Sequence, residues 1–179
     1  MSEISLYLDS NAIIDLIKQK VGANLSPERE QDAWYVDRLL EASRLRRLRI
    51  FTSALSIIEC VHVGDQSKDQ ASRPFFDGLL QSGKSGIVLI QPTTSIIDKA
   101  RSLRWVYGST LKGIDAIHAA SAMHFRCTEF LSRDENFLRN SKILQEMQLR
   151  TCAPSETVLL PAEFRQQIID YGKSGSSRP

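Results

Sequence analysis

The sequence has few of the features that mark secreted, membrane-spanning or zinc-stabilised proteins. Its three cysteines, Cys60, Cys127 and Cys152, have neither paired spacing nor a nearby histidine pattern. Such cysteines are typical of small buried side chains rather than of disulfides or a zinc site. No basic segment precedes an apolar core near Met1, and no apolar stretch approaches the roughly 18 residues that cross a bilayer. We therefore expect a cytoplasmic protein with no signal peptide and no membrane contact.

Two common enzyme motifs are also missing. There is no Gly-x-Ser-x-Gly nucleophile turn and no Gly-x-x-x-x-Gly-Lys-Ser/Thr phosphate loop. The segment 83–86 resembles the end of such a loop, but it has no upstream glycine and it precedes a strand pattern. Serine-triad hydrolysis and nucleotide binding of the P-loop type are therefore unsupported.

The net charge and the length of the chain restrict the class of protein further. The formal net charge is +2, which is too small to indicate nucleic-acid binding by itself. Four arginines within residues 44–49 fit a solvated helix end, or alternatively a contact to phosphate. The chain of 179 residues is long enough for one well-packed domain. We predict a single domain over 1–171 and a disordered tail over 172–179, which is rich in glycine and serine.

Short apolar runs alternate with longer helical patterns along the chain, which is typical of a parallel sheet covered by helices on both faces. Strands are predicted over 4–8, 49–53, 87–91, 128–131 and 149–152, the last at an edge. Helices are predicted over 11–19, 27–47, 54–63, 73–81, 94–107, 114–125, 135–147 and 161–171. Residues 64–72 are predicted to be a loop or a helix connection, residues 154–160 a loop, and residues 82–86 a turn. The fold class is therefore α/β, with three layers and a mostly parallel sheet of about five strands.

Four acids occupy informative positions in this pattern: Asp9, Glu59, Asp115 and Asp134. Asp9 and Asp134 each close an apolar run and precede a helix, whereas Glu59 and Asp115 lie near the starts of two helical segments. Each acid alone has an ordinary explanation as a turn former, helix cap or solvated charge. No single one of them indicates a site.

Together, the four acids predict a pocket for a hard cation. Acids at the carboxyl ends of adjacent parallel strands lie close together, and ligand sites of open α/β sheets form at that edge. Ser10, Asn11 and Ser132 add neutral groups that can bond to these carboxylates. Without a cation the carboxylates would repel one another, and Mg²⁺ or Mn²⁺ removes that repulsion. Such an ion can also activate water against a phosphodiester.

These residues lie in four stretches that resemble the PIN domain, the fold of many metal-dependent ribonucleases, including the VapC-type toxins of toxin–antitoxin pairs. The stretches are residues 6–11, 52–59, 113–122 and 131–137. The resemblance implies that Asp9, Glu59, Asp115 and Asp134 surround one or two Mg²⁺ or Mn²⁺ ions. It also implies that Asn11 and Ser132 support these ligands, although the family usually has threonine at the latter position.

The resemblance further implies an endoribonuclease that leaves 5′-phosphate and 3′-hydroxyl ends on its RNA products. An antitoxin protein and a second copy of the chain are the partners expected of a VapC-type toxin. The chain departs from the small toxins by extra length between Val21 and Leu48 and between His62 and Gly86. This extra length bears on the toxin role and its partner more than on the nuclease chemistry.

Two further residues are candidate RNA contacts. His118 shares a helix face with Asp115, and it either contacts a phosphate or packs beside the site. Arg133 is predicted at a strand end, where phosphate contact and plain solvation are equally good interpretations.

Two alternative functions remain open from the sequence. A phosphotransfer enzyme of the haloacid-dehalogenase type also begins with a strand that ends in Asp, but it normally has a second Asp where this chain has Asn11. A PIN-like module that binds RNA or protein without catalysis is the other alternative. The complete set of four acids speaks against it, because a scaffold has no need of them.

Overall fold

The computed structural model describes residues 4–81 and 84–165. Its strands are β1 (Ser5–Leu8), β2 (Arg49–Ser53), β3 (Ile87–Ile90), β4 (Glu129–Leu131) and β5 (Arg150–Cys152). Its helices are α1 (Ser10–Lys20), α2 (Pro27–Arg44), α3 (Ser56–Glu59), α4 (Gln66–Leu79), α5 (Thr94–Trp105), α6 (Gly113–His124), α7 (Glu135–Arg139), α8 (Ser141–Glu146) and α9 (Ala162–Arg165). A 3₁₀ helix, Pro154–Glu156, precedes α9.

The five strands form one parallel sheet in the order β3-β2-β1-β4-β5. β1 is the central strand: Leu6 lies opposite Ile50 of β2 and Glu129 of β4. The chain adds β2 and β3 on one side of β1 and β4 and β5 on the other. Strand order therefore reverses at β1, and the crevice at its carboxyl end is where ligands bind in folds of this kind.

Side chains of the central strands alternate between two cores, one on each face of the sheet. Leu6 and Leu8 of β1 pack with α1, α2 and α4. Tyr7, between them, points to the opposite face, where it packs with Phe51, Phe130 and the helices α5 and α6. The structure confirms the predicted three-layer α/β fold with five strands.

One predicted loop is wrong. Residues 66–72 belong to α4, although their polarity favoured a loop. Asp65 is the N-cap of α4, since its side chain accepts hydrogen bonds from the backbone N–H and hydroxyl of Ser67. That cap satisfies a helix donor that otherwise has no partner, so a polar first turn is stable.

Two predicted helices are shorter than expected. Instead of 54–63, the helix that carries Glu59 covers four residues. The predicted helix 135–147 is divided into α7 and α8 at Asn140. The Asn140 side chain accepts hydrogen bonds from Ser109 Oγ (3.0 Å) and Thr110 N (2.9 Å), and it donates to Asn136 O (2.7 Å). Because this side chain binds a distant loop, the helix breaks where that loop is anchored.

Some sequence predictions lie outside the described residues. These are part of the turn at 82–86, the predicted helix beyond Arg165, and the tail 172–179. In the described part of the chain, no helix is both long enough and apolar enough to cross a membrane.

Candidate active site

Asp9 lies at the carboxyl end of β1 and is 4% exposed. Its Oδ1 accepts a hydrogen bond from Ser10 N at 2.9 Å, which caps α1. Its Oδ2 accepts from Ser132 Oγ at 2.7 Å and from Asn11 Nδ2 at 3.4 Å. Three donors therefore fix this buried carboxylate at the strand crevice.

Asp134 follows β4, the parallel neighbour of β1, and it caps α7. Its Oδ1 accepts a hydrogen bond from Asn136 N at 2.7 Å, and its Oδ2 lies 3.5 Å from Asn11 Nδ2. The Asn11 amide therefore lies between the carboxylates of Asp9 and Asp134. The structure brings together the two acids that the sequence placed at adjacent strand ends.

Asp115 lies in the first turn of α6 and faces the same crevice. Asn136 Nδ2 is 3.5 Å from its Oδ2, so Asn136 connects α6 to the turn that carries Asp134. Burial raises the pKa of Asp115, and the nearby negative charge of Asp134 raises it further. These two acids are thus close enough to repel each other.

Glu59 is the last residue of α3 and reaches the crevice from the side of β2. Its Oε2 lies 2.6 Å from Ser10 Oγ and 2.8 Å from His118 Nε2. Burial alone would raise the pKa of Glu59, but these two hydrogen bonds outweigh it and the net pKa is lowered. Glu59 is therefore ionised at neutral pH.

The pKa of Asp9 is shifted in the opposite direction to that of Glu59. Burial raises its pKa to about 6, against the opposing effects of the His118 ring and the hydrogen bond from Ser132. Neutral hydroxyl and amide donors surround it, and no arginine or lysine forms an ion pair with it within the described ranges. It is a carboxylate whose negative charge is poorly compensated.

The donor set fits a hard cation, although the side chains do not enclose one as they stand. Across residues 4–81 and 84–165, no three carboxylate, histidine or cysteine side chains form a ready metal cluster. Neutral donors lie between the carboxylates, since Asn11 separates Asp9 from Asp134 and Asn136 contacts both Asp134 and Asp115. All four candidate ligands are carboxylate oxygens, the type that Mg²⁺ and Mn²⁺ prefer. Their role as metal ligands stays a prediction.

The two candidate RNA contacts have partners within the protein. His118 is 1% exposed, and its ring nitrogens lie next to Tyr7 and Glu59. Its position matches the second interpretation, a histidine packed beside the site. Arg133 forms an ion pair with buried Asp32 of α2, which also accepts a hydrogen bond from Ser155 N at 3.0 Å. Arg133 thus connects β4 to α2.

Sequence reasoning missed three polar residues that organise the site. Tyr7 and Thr52 lie inside apolar strand patterns, which do not indicate their polar contacts. Thr52 Oγ1 donates to Leu8 O at 2.8 Å and lies 2.8 Å from Ser56 Oγ. Asn136 could have been found, because an amide two residues after a capping Asp is well placed to face the same pocket.

A family model described as the PIN domain matches residues 6–143. The chain belongs to the PIN domain family. The match spans all four acids, from Asp9 to Asp134, so the predicted family is confirmed. It also settles the choice between the two folds that begin with a strand ending in Asp, and the haloacid-dehalogenase alternative is not supported. No curated protein sequence is a significant match.

Two solved structures share the fold of this PIN domain at low sequence identity. One is VapBC2 from Rickettsia felis bound to a DNA fragment from its promoter: TM-score 0.52, 13% identity, covering 83% of this chain and 98% of that one. The other is FitAcB from Neisseria gonorrhoeae: TM-score 0.54, 18% identity, covering 85% of this chain and 99% of that one. At this identity the likeness concerns the fold.

Proposed function

We propose that this PIN domain is a metal-dependent endoribonuclease that hydrolyses RNA phosphodiester bonds. One observation carries the proposal: four carboxylates, two that follow β1 and β4 and two on α3 and α6, lie around the crevice where strand order reverses. Neutral donors connect them, including Ser10, Asn11 and Ser132. Carboxylates that form no ion pair with an arginine or lysine in the described part of the chain are suited to binding Mg²⁺ or Mn²⁺.

In this proposal, Asp9, Glu59, Asp115 and Asp134 would hold the ion. A bound cation would supply neutralisation of the phosphate and activation of an attacking water. The remaining groups orient the ligands: Ser132 fixes Asp9, Ser10 fixes Glu59, and Asn136 contacts Asp115. The buried position of Asp9 excludes water from one side of its carboxylate, which strengthens its attraction to a cation.

Cleavage of a labelled RNA pool by the purified chain tests the proposal. The reaction is run with Mg²⁺, with Mn²⁺ and with a chelator, for wild type and for Asp115→Asn. Asp77→Asn is the matched control, since Asp77 lies on α4 with a side chain 68% exposed. We expect cleavage only with metal, a loss of about 100-fold or more in Asp115→Asn, and no change in the control. Full activity in Asp115→Asn would contradict the assignment.

We further propose that the chain is the toxin of a toxin–antitoxin pair and forms a homodimer. The VapBC2 and FitAcB chains share its fold, and the sequence resembles VapC-type toxins. Apolar side chains also surround Glu59 at the surface: Ile57, Ile58 and Val61 are 48%, 63% and 60% exposed. Exposed apolar groups next to a site are typical of a surface that a protein partner covers.

Sedimentation of wild type and Ile58→Asp tests the partner surface. We expect wild type to sediment as a dimer or as a complex with a co-purifying protein. The charge in Ile58→Asp should weaken that association about 10-fold or more, because it would be buried at the interface. Equal association of both proteins would place the partner surface elsewhere.

A further inference from the structure

Glu59 is held by side-chain donors more than by the helix that carries it. α3 has only four residues, and its outer side chain Ile58 is 63% exposed, so packing restrains it weakly. Ser10 Oγ and His118 Nε2 both lie within 2.8 Å of Glu59 Oε2. A carboxylate can only accept hydrogen bonds, so both neighbours donate to it.

His118 is fixed from its other side by Tyr7. The Tyr7 hydroxyl lies 2.7 Å from His118 Nδ1, and the two rings meet edge to face at 5.8 Å. Tyr7 is fully buried and stacks on Phe130 at 5.0 Å. With the ring hydrogen on Nε2, Tyr7 donates to Nδ1 while His118 donates to Glu59. A chain of hydrogen bonds therefore runs from β1 through α6 to α3.

The two donors share one oxygen of Glu59. Ser10 and His118 both donate to Oε2, and none of the described residues donates to Oε1. Oε2 is therefore the oxygen that fixes the carboxylate in place, and Oε1 is the oxygen left for a ligand. Hydrogen bonds to one oxygen of a carboxylate orient its other oxygen toward a bound ion.

We propose that His118, oriented by Tyr7, is a positioning residue that holds the Glu59 carboxylate for a divalent cation. The inference rests on the proposed function, because Glu59 needs this support only if the acids bind an ion. It assigns a role to two buried residues, Tyr7 and His118, that cannot reach an RNA strand. Loss of a group that orients a metal ligand lowers metal affinity about 10–100-fold.

Calorimetric titration of the full chain with Mn²⁺ alone tests this role without any RNA. The variants are His118→Leu, His118→Gln and Tyr7→Phe, and the control is His124→Leu, since His124 is an exposed histidine of the same helix. We expect about a 10-fold or greater loss of affinity in His118→Leu and a smaller loss in Tyr7→Phe. His118→Gln should recover part of the loss because its amide can donate to Glu59. The control should bind like wild type.

RNA binding in the presence of chelator separates positioning from direct contact. We expect His118→Leu to bind RNA like wild type under these conditions, because the side chain is buried. A loss of RNA affinity matching the loss of Mn²⁺ affinity would instead make His118 an RNA contact and overturn the inference.

The remaining outcomes are equally distinct. Wild-type Mn²⁺ affinity in folded His118→Leu overturns the positioning role and leaves the proposed function standing. Wild-type protein that binds no Mn²⁺ overturns both. If His118→Leu does not fold, the test rests on Tyr7→Phe and His118→Gln. Wild-type Mn²⁺ affinity in both of these variants overturns the positioning role of His118.

Discussion

The Ser132 hydroxyl donates a hydrogen bond to Asp9 Oδ2 at 2.7 Å and accepts one from the backbone N–H of Asp134 at 3.0 Å. One fully buried hydroxyl thus joins the acids at the ends of β1 and β4 and fixes the distance between them. Threonine has the same hydroxyl, so the serine found here preserves this contact.

Ser132→Ala should therefore lower metal-dependent cleavage by about 10-fold. The substitution removes a donor from Asp9 and an acceptor from Asp134 N, so both carboxylates lose restraint. Ser132→Thr is the matched variant, because it keeps the hydroxyl and should retain most of the activity. Initial cleavage rates at saturating Mn²⁺ check this expectation, and equal loss in both variants would show that the hydroxyl is not the important group.

Asp9→Asn should stabilise the metal-free protein at neutral pH. Burial raises the pKa of Asp9 from 3.8 to about 6, so the folded state binds a proton more tightly than the unfolded state. Ionisation therefore lowers the free energy of unfolding as pH rises between about 4 and 6, and the full penalty is present above 6, with an upper limit of about 3 kcal/mol. Asn carries no charge and avoids this penalty.

Urea unfolding with a chelator at pH 4 and pH 7.5 measures the effect. The two proteins should differ little at pH 4 and by up to about 3 kcal/mol at pH 7.5, with the variant more stable. If the free energy of unfolding of the wild type instead rises relative to that of Asp9→Asn between pH 4 and pH 7.5, the raised pKa of Asp9 is contradicted.

Phe130→Ala should destabilise the fold by about 3–5 kcal/mol. Phe130 is fully buried in β4, stacked on Tyr7 at 5.0 Å and packed on Phe137 at 4.4 Å. Its removal leaves a cavity beneath the residues that carry the site. Phe75→Ala is the control, since Phe75 is 42% exposed, and it should change the free energy of unfolding by about 1 kcal/mol or less. Thermal and urea unfolding distinguish the two.

Two glycines should respond oppositely to alanine. Gly78 lies inside α4, and a Cβ there meets no atom within 4 Å, so Gly78→Ala should stabilise the protein by about 0.5–1 kcal/mol. Gly86 has φ +91°, and a Cβ there would lie 3.2 Å from Leu40 O. Gly86→Ala should therefore destabilise the protein by about 1–3 kcal/mol. Destabilisation of the same size in both variants would contradict these backbone conformations.

The sequence predicted the sheet well because its strands are short, apolar and bounded by turn or helix signals. Arg49–Ser53 was predicted with the observed bounds, and the parallel arrangement followed from the alternation of strands and helices. The errors arose where side chains override local propensity. Asn140 breaks a predicted helix by binding the loop at Ser109 and Thr110, and no local pattern reports such a distant contact.

The candidate site was predictable for a different reason. Asp9 and Asp134 follow apolar runs, so a parallel sheet places both at the same edge, and the pairing of β1 with β4 brings them together. The hydrogen bonds that orient Glu59 could not be predicted from the sequence. The pattern around Tyr7 indicates an ordinary core residue of β1, and the contact of its hydroxyl with His118 joins positions 111 residues apart. Spacing on a helix places His118 near Asp115, but only the fold shows that its partner is Glu59.

The chemistry at the ends of the RNA products tests the central claim most directly. If water activated at the four acids attacks phosphorus, products made with Mg²⁺ or Mn²⁺ should have 5′-phosphate and 3′-hydroxyl ends, and mass spectrometry of the fragments should show them. Fragments ending in a 2′,3′-cyclic phosphate would mean that the RNA's own 2′-hydroxyl is the nucleophile. That result would contradict metal-dependent hydrolysis at Asp9, Glu59, Asp115 and Asp134.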